Sequence, residues 1–347
     1  MIYLVATAVK HGRGGISTAL VGLCASTDLQ KAGLTLIESH RGNQSKLKAY
    51  YEAVTQIHKQ VQESDIVWLH CARWLSMLRK YLLARHARKQ GATIVFHFHS
   101  AVTDDYLRSP WRRWLLKQMV QLADGICVLT PWWRQRFIDE LKLPEHKLHV
   151  VPNTLDEEFL QATPKLLSID NGPIKMLCMT RLVAGKNVAA VLHALAILPT
   201  RYHLSIAGEG PELQNLQQLA IDLGIKERIN FLGWVDYDKK INVLQQHHLF
   251  ILPSQFDAFG MGFIEAMAIG LPVIALTQGP TPDVVPHQQA GYLCEDVSTA
   301  ELLRAIDFCT THYTSLTTAA REHARQQFAV APTVQSLLNF FSTLPQR

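Results

Sequence analysis

Short apolar runs alternate along this chain with longer segments whose apolar residues recur every three to four positions. The short runs are typical of buried strands, and the longer segments, such as Lys46–Gln62 and Leu75–Gln90, are typical of helices. Regular alternation of the two predicts a parallel sheet wound by β-α-β units, and hence the α/β fold class. The predicted strands are Ile2–Val9, Leu34–Glu38, Ile66–His70, Thr93–His99, Gly125–Leu129, Leu148–Val151, Ile174–Met179, Tyr202–Gly208, Ile229–Leu232, Leu249–Leu252 and Pro272–Leu276.

The alternation pauses between Gln161 and Pro173, where proline, serine, asparagine and glycine lie close together. This composition is typical of a linker. Because 347 residues exceed what one core of ordinary size organises, two domains are expected. We expect two Rossmann-like domains, residues 1–165 and 172–327, facing each other across a cleft, with a C-terminal helix at 328–347 packing back on the first. In such sheets ligands bind at the carboxyl ends of the strands.

The most informative loop follows the predicted strand Leu249–Leu252. Asp257 and Glu265 lie eight positions apart on either side of a glycine-containing turn. The alanine-rich residues 263–269 predict a short helix that ends at Gly270. Glu265 is thereby expected in the first turn of this helix, where amide donors and the positive helix end favour anionic and hydroxyl-rich ligands. Purely structural roles, as a turn former and a dipole-balancing acid, are the alternative.

Two loops in the first half contain further candidates. Gly14 and Gly15 lie in a glycine-rich turn after the first strand, which permits close backbone approach but matches no nucleotide-binding fingerprint. An ordinary turn is the equal alternative. His97 and His99 share one face at the end of a strand. We expect His99 to be functional and His97 structural, and we expect no metal site because no third ligand of the right type follows nearby.

The second half contains cations and another glycine turn. Arg181 and Lys186 flank a turn after the strand Ile174–Met179. A guanidinium and an ammonium that converge there suit a diphosphate, although a solvated charge pair explains the spacing equally well. Gly208 lies in a tight turn after the next strand, where its backbone can approach a ligand closely.

The composition narrows the class of protein. With 48% hydrophobic and 18% charged residues, the chain is typical of an ordered globular protein. No apolar run approaches the roughly 20 residues that span a bilayer, and the N-terminus predicts a strand rather than a signal peptide. The net charge of +5 permits anionic partners without requiring nucleic acid. Six scattered cysteines, none in a CxxC pattern, indicate reduced thiols in a cytoplasmic protein.

Taken in chain order, these features resemble family 4 of the retaining glycosyltransferases, which have the GT-B fold. The resemblance covers nearly the whole chain. The segments that carry it are Gly14-Gly15, His99-Ser100, Val151-Pro152-Asn153, Arg181 with Lys186, Gly208-Glu209-Gly210-Pro211, Phe231-Leu232-Gly233 and Asp257 to Glu265.

The resemblance implies transfer of a sugar from a nucleotide-diphosphate donor, with a UDP-sugar favoured, to a glycan or lipid-linked glycan. It implies no cofactor and no metal, since basic residues do the metal's electrostatic work, and the departing phosphate oxygen helps to deprotonate the acceptor on the same face. The residues that it assigns to donor binding are Gly14, Gly15, Arg181, Lys186, Gly208, Phe259, Gly260, Met261 and Glu265, and those that it assigns to catalysis are His99, Asp257 and Glu265.

Individual roles follow from the same resemblance. Arg181 and Lys186 would neutralise the diphosphate as it departs. Glu265 would hydrogen-bond the ribose, Asp257 would bind sugar hydroxyls together with nearby backbone amides, and His99 would contact the sugar. The family usually has Glu where this chain has Asp257, so its carboxylate reaches about one carbon–carbon bond less far. We interpret this difference as the mark of a different donor sugar.

The segment from Trp111 to Trp114, which includes Arg112 and Arg113, mixes aromatic and basic residues. Either it lies on an anionic membrane surface or its aromatic rings pack internally. The resemblance implies a cytoplasmic enzyme, peripheral on the inner face of the membrane, that acts in bacterial surface polysaccharide or lipopolysaccharide synthesis. A nucleotide-sugar epimerase of GT-B type and a non-catalytic glycan- or nucleotide-sugar-binding subunit remain as alternatives.

Overall fold

The computed structural model describes residues 1–7, 15–40, 45–72, 74–163, 169–170 and 172–345. The chain divides into two compact units, one formed by Met1–Asp156 with Ala329–Arg347 and the other by Glu157–Phe328. Each unit is built on a six-stranded parallel sheet with helices packed against it. The α/β fold class predicted from the alternation is therefore confirmed.

The first unit has the strand order β2-β1-β3-β4-β5-β6. Strands β1, β3, β4 and β5 are buried almost throughout, as expected for a parallel sheet covered on both faces. The strands are β1 (Ile2–Ala6), β2 (Leu34–Glu38), β3 (Ile66–Cys71), β4 (Thr93–Phe98), β5 (Gly125–Val128) and β6 (Leu148–Val150), and the helices are α1 (Gly15–Ala25), α2 (Thr27–Lys31), α3 (Lys46–Gln60), α4 (Trp74–Lys89), α5 (Val102–Arg108), α6 (Pro110–Leu122) and α7 (Pro131–Leu141).

The second unit has the strand order β12-β11-β10-β7-β8-β9. Its elements are α8 (Glu157–Gln161), β7 (Ile174–Met179), α9 (Val188–Ile197), β8 (Tyr202–Ala207), α10 (Leu213–Asp222), β9 (Ile229–Gly233), α11 (Lys240–Leu244), β10 (Leu249–Leu252), α12 (Met261–Ile269), β11 (Val273–Leu276), α13 (Thr281–Val284), β12 (Gly291–Cys294), α14 (Thr299–Thr311) and α15 (Tyr313–Gln327). Ser298 is the N-cap of α14: its Oγ accepts a hydrogen bond from the Glu301 amide.

The last helix, α16 (Val330–Thr343), packs on the first unit. Its residues Val334, Leu337 and Phe341 share one hydrophobic core with the buried side of that unit's sheet, which includes Leu4 and Trp68. The chain thus returns to its first unit after completing the second.

Two features of the second unit differ from the sequence-based expectations. β12 was not predicted, because it begins with Gly291 and only three apolar residues follow; it is an edge strand and pairs with β11. Helix α12 begins at Met261, two residues before the predicted apolar stretch, so Glu265 lies in its second turn rather than its first.

The six cysteines are free, and all but Cys24 are buried. Within the described ranges, no helix combines the length and the apolar character that crossing a bilayer requires.

Candidate active site

The strand order of the second unit creates a topological switch point between β7 and β10. From β7 the chain proceeds to β8 and β9 on one side, and it then returns to place β10 on the other side of β7. The connections that leave the carboxyl ends of these two neighbours diverge, and a crevice between such connections is the usual ligand site of an open α/β sheet. The loops concerned are residues 180–187 after β7 and 253–260 after β10.

These two loops are joined by hydrogen bonds. The Gln255 amide donates to the Gly185 carbonyl at 2.9 Å, and Asn187 Nδ2 donates to the Pro253 carbonyl at 2.8 Å. Asn187 adopts a left-handed conformation with φ of 54°, which asparagine tolerates better than most residues. The loops are therefore held together by one backbone and one side-chain hydrogen bond, neither of which depends on a ligand.

Lys186 and Asp257 form an ion pair at this point. Lys186 Nζ lies 2.6 Å from Asp257 Oδ1 and 3.0 Å from Ser254 Oγ, and the Lys186 side chain is buried. Asp257 Oδ2 is buried as well and accepts no hydrogen bond within the described part of the chain. Oδ1 of Asp257 thus binds the ammonium of Lys186, and Oδ2 can still accept hydrogen bonds from a ligand. The sequence assigned these residues to different parts of the donor and did not predict that they pair.

Arg181 lies in the same loop with its side chain exposed. Its loop is held beside the next one, because the Leu182 amide donates to the Glu209 carbonyl at 2.9 Å. Gly208 permits this approach: its φ is +141°, and a Cβ there would lie 1.8 Å from the Thr180 carbonyl oxygen. The glycine is needed for the packing of two backbone segments, in addition to the ligand approach expected from the sequence.

Glu265 is almost fully buried, with 1% of its surface exposed. Both of its carboxylate oxygens accept from Lys240 Nζ, at 2.6 and 2.9 Å. Lys240 opens α11, and its ammonium also lies 5.8 Å from the centre of the Tyr237 ring. Sequence reasoning missed Lys240, since a lysine at the start of a five-residue helix carries no signal that it neutralises an acid 25 positions away.

The remaining predicted donor residues surround the start of α12. Phe259 is buried and packs edge-on against Phe328 at 5.6 Å. Gly260 precedes the helix with φ of +88°, and a Cβ there would lie 2.2 Å from the Phe263 ring. The first amides of the helix, from Met261 onward, belong to the set of donors that has no carbonyl partner within a helix. Of these, the Phe263 amide donates to the Gly260 carbonyl, so the amides of Met261 and Gly262 are the candidates for a ligand.

In the first unit, His99 follows β4 and belongs to a cluster of three buried imidazoles. His99 Nε2 lies 2.7 Å from His70 Nδ1, and His99 Nδ1 lies 3.1 Å from Asn153 Oδ1. His97 Nε2 lies 3.2 Å from the Val151 carbonyl. Burial, together with the neighbouring imidazoles, holds the pKa values of His70 and His97 well below their usual range, and burial lowers the pKa of His99 to about 4.

The cluster corrects one expectation. The argument against a metal site relied on the absence of a third ligand near His97 and His99, but His70 of β3 supplies one, and one nitrogen of each ring lies within 4.8 Å of the others. The sequence missed it because β3 and β4 are separate runs, which the parallel register places side by side with His70 opposite His97.

The predicted site residues therefore fall into three groups. Gly14 lies outside the described residues, and Gly15 is the first residue of α1. His99 lies in the first unit. The structure brings the others together around the switch point and adjoining loops of the second unit, and these are Arg181, Lys186, Gly208, Asp257, Phe259, Gly260, Met261 and Glu265.

Two family models match this chain. The model described as Glycosyltransferase Family 4 matches residues 20–159, and the model described as Glycosyl transferases group 1 matches residues 161–327. Together they cover most of both units. A GDP-mannose-dependent alpha-(1-6)-phosphatidylinositol monomannoside mannosyltransferase from Mycobacterium tuberculosis is 28% identical over 274 residues, which represent 72% of this chain and 68% of that relative.

Solved structures share the fold over nearly the full length. Anabaena HepE in complex with UDP and glucose superposes with a TM-score of 0.77 at 19% identity and covers 99% of both chains. The apo form of the lipopolysaccharide outer core galactosyltransferase WaaB gives a TM-score of 0.73 at 18% identity, also over 99% of both chains. The two parallel sheets match the GT-B fold of these structures, and the two family models show that the chain is a glycosyltransferase. The chain belongs to glycosyltransferase family 4.

Proposed function

We propose that this protein is a retaining, metal-independent glycosyltransferase that moves a sugar from a nucleotide-diphosphate donor to a glycan or lipid-linked glycan. The observation that carries the proposal is the pair formed by Lys186 and Asp257 at the switch point, in which the ammonium is buried and Asp257 Oδ2 is buried without a partner in the described residues. A buried acceptor of this kind costs free energy unless a donor reaches it. A sugar hydroxyl is such a donor.

The cations around this point suit the leaving group. Arg181 is exposed, and 11% of the Lys186 side chain remains accessible. As the bond to the sugar breaks, negative charge develops on the diphosphate, and fixed cations stabilise that charge without a metal ion. In the retaining mechanism that we propose, the departing phosphate oxygen accepts the acceptor's proton while the acceptor oxygen bonds to the anomeric carbon on the same face.

Glu265 is proposed to bind the ribose with Lys240 as its support. Lys240 donates to both oxygens of the buried carboxylate and offsets its charge, and each oxygen has a second lone pair that can accept from a ribose hydroxyl. Asp257 is proposed to bind sugar hydroxyls together with the amides near Phe259, Gly260 and Met261. Gly208 and, in the other unit, Gly14 and Gly15 are proposed to allow the phosphates close to the backbone, and His99 is proposed to contact the sugar.

The nucleotide is proposed to be a uridine diphosphate. HepE, which shares the fold, was solved with UDP and glucose, whereas the mycobacterial relative is named as dependent on GDP-mannose. The two bases are distinguished by thermal-shift titration of the full chain with UDP and with GDP. Stabilisation by UDP alone supports the proposal, and stabilisation by GDP alone reassigns the base.

The acceptor side is proposed to lie at the inner face of a bacterial membrane, in the synthesis of surface polysaccharide or lipopolysaccharide. The mycobacterial relative's name specifies a lipid-linked acceptor, and WaaB's specifies lipopolysaccharide. On α6, Trp111 and Trp114 are 55% and 61% exposed, so internal packing does not account for them. The guanidinium of Arg112 lies 5.2 Å from the centre of the Trp111 ring, which gives this end of the helix an aromatic and basic surface.

Donor turnover tests the function directly. The full chain is incubated with UDP-sugars and GDP-sugars, and nucleotide diphosphate release is measured with and without EDTA. Release that persists in EDTA and depends on Lys186 and Glu265 supports a metal-independent transferase, and the anomeric configuration of the product, read by NMR, tests retention. Binding of nucleotide sugars without any release would instead indicate a non-catalytic subunit.

A further inference from the structure

His99 has both ring nitrogens engaged by protein partners, although it is the residue expected to contact the sugar. Nδ1 lies 3.1 Å from Asn153 Oδ1, and Nε2 lies 2.7 Å from His70 Nδ1. A sugar hydroxyl can therefore bond to His99 only if one of these partners gives way. The direction of the two hydrogen bonds determines whether the hydroxyl must donate or accept in place of each partner.

The chain of bonds has a defined polarity. In the orientation that Asn153 adopts, its Oδ1 can only accept, so His99 carries its proton on Nδ1. With a pKa of about 4, His99 is neutral near pH 7, and its Nε2 is a bare lone pair. His70 must then donate its Nδ1 proton to that lone pair. This leaves His70 Nε2 as a buried acceptor, and it has no partner among the described residues.

His97 belongs to the same cluster as His70, but its hydrogen bonds differ. It is as deeply buried as His70, and its ring centre lies 3.9 Å from that of His99. Its Nε2, however, donates to the Val151 carbonyl and makes no hydrogen bond to His99. Of the two neighbouring rings, only His70 holds the Nε2 lone pair. His99 also has the largest exposed fraction of the three, 6% against 2% for His70 and 1% for His97.

From this geometry we infer that His70 is a positioning residue for the proposed transfer: it holds His99 as a neutral imidazole with Nε2 as an acceptor, and a sugar hydroxyl replaces His70 as the donor to that nitrogen. The inference rests on the proposed function, and it specifies the polarity of the contact. The hydroxyl donates and His99 accepts, so His99 acts neither as a cation nor as a proton donor. Asn153 sets the tautomer, because it remains bonded to Nδ1 throughout the exchange.

A metal centre is the competing use of the same three rings. Ligands bound tetrahedrally at the usual zinc–nitrogen distance of about 2.0–2.1 Å have ring centres about 5 Å apart. His70 satisfies this spacing to both neighbours, at 5.1 and 4.9 Å, but His97 and His99 are only 3.9 Å apart. The Nε2 lone pair that a metal would need is also occupied by His70. The rings are thus arranged for a hydrogen-bond chain, and metal binding is an outcome that the experiment must distinguish.

The first test is NMR of the full chain, labelled with ¹⁵N at histidine. We expect a scalar coupling across the N–H···N bond between His70 Nδ1 and His99 Nε2 in the free protein. It should persist with UDP or GDP and disappear with UDP-glucose or GDP-mannose, whichever binds. Persistence of the coupling with a bound nucleotide sugar would overturn the inference. If no nucleotide sugar binds, the proposed function is wrong, even where the free protein shows the coupling between His70 and His99.

The second test uses variants. Since the sugar must displace His70, His70→Leu should raise the affinity for a nucleotide sugar relative to its nucleotide by about three- to tenfold. His70→Asn keeps a donor near the Nδ1 position and should restore the ratio. The matched control is His97→Leu, which should leave the ratio of the two affinities unchanged. Equal effects of the His70 and His97 variants would indicate a merely structural role, and stoichiometric Co²⁺ binding with loss of the coupling would establish a metal centre instead.

Discussion

Lys186 places its ammonium 2.6 Å from Asp257 Oδ1, although the two residues are 71 positions apart in the chain. The contact joins the loops that leave β7 and β10, which are neighbours only because the strand order reverses there. The shorter Asp257 is thus tied to a cation, and only Oδ2 remains available to a ligand. In the proposed function, this sets how far the loop acid reaches toward the donor sugar.

The first prediction concerns this pair. Lys186→Ala should lower transfer by at least about 100-fold, because it removes a fixed cation from the leaving group. It should also lower stability, since a partly buried carboxylate loses its partner. A double-mutant cycle with Asp257→Ala, measured by urea unfolding, should give a coupling of about 1–3 kcal/mol. Lys175→Ala, at an exposed position on β7, is the control, and a coupling near zero would contradict the pairing.

The second prediction concerns Lys240 and Glu265. Glu265→Gln should weaken nucleotide binding about tenfold or more with a modest loss of stability, because it removes the charge that accepts from the ribose. Lys240→Met should cost more stability, about 3–5 kcal/mol, since it leaves a buried carboxylate without its partner. The double variant should recover stability but not nucleotide affinity. Calorimetric titration and thermal unfolding measure the two effects separately, and joint recovery of both would refute the role of Glu265.

The third prediction concerns Gly208. Gly208→Ala should force the loops after β7 and β8 apart, because the new Cβ would lie 1.8 Å from the Thr180 carbonyl oxygen at a φ of +141°. The backbone strain alone costs about 1–3 kcal/mol. Loss of donor binding should accompany the loss of stability, since Arg181 lies in the displaced loop. Gly172→Ala is the matched control, because among the described residues none outside its chain neighbours places an atom within 4 Å of its Cβ position. Wild-type stability of Gly208→Ala would contradict the close packing.

The fourth prediction concerns pH. A histidine whose pKa is lowered in the folded state binds its proton more readily when unfolded, so its contribution to stability is complete above the unfolded value of about 6.5. That contribution is lost as pH falls toward about 4, the value for His99, and the lowered pKa values of His70 and His97 act in the same direction. For His99 the loss should total about 3 kcal/mol.

Urea unfolding between pH 7.5 and pH 4.5 measures this dependence. His99→Gln should weaken the dependence of the unfolding free energy on pH. His193→Gln, at an exposed helix position, should leave that dependence unchanged. An equally steep curve in both variants would show that other groups control the acid response.

The fifth prediction concerns the surface of α6. Trp111→Ala combined with Trp114→Ala should reduce sedimentation with anionic liposomes at low salt, because the two exposed rings are proposed to enter the interface. The control is Trp234→Ala, since that tryptophan is 41% exposed but lies in the second unit. Absence of wild-type binding to anionic liposomes at low salt would rule out the membrane surface.

The elements of this fold were largely predictable because their signals are local. Each buried strand is a short apolar run, and each long helix repeats its apolar positions at its own period. Gly270 illustrates the same point, since a left-handed residue must follow α12 and glycine adopts that conformation without strain. β12 escaped detection because it begins with a glycine, and the three apolar residues that follow do not distinguish a strand from a loop.

By itself, the sequence determined the α/β class, most of the strands and the chemistry available in the loops, because these depend on residues that are near each other in the chain. Only the tertiary structure decided which groups meet. Lys186 reaches Asp257, Lys240 reaches Glu265 and His70 reaches His99 through strand order and register. These long-range pairings leave no local pattern, because each partner occupies an ordinary position in its own segment. The physical reason is that a side chain's partners are set by the packing of whole elements, whereas its own conformation is set by its neighbours.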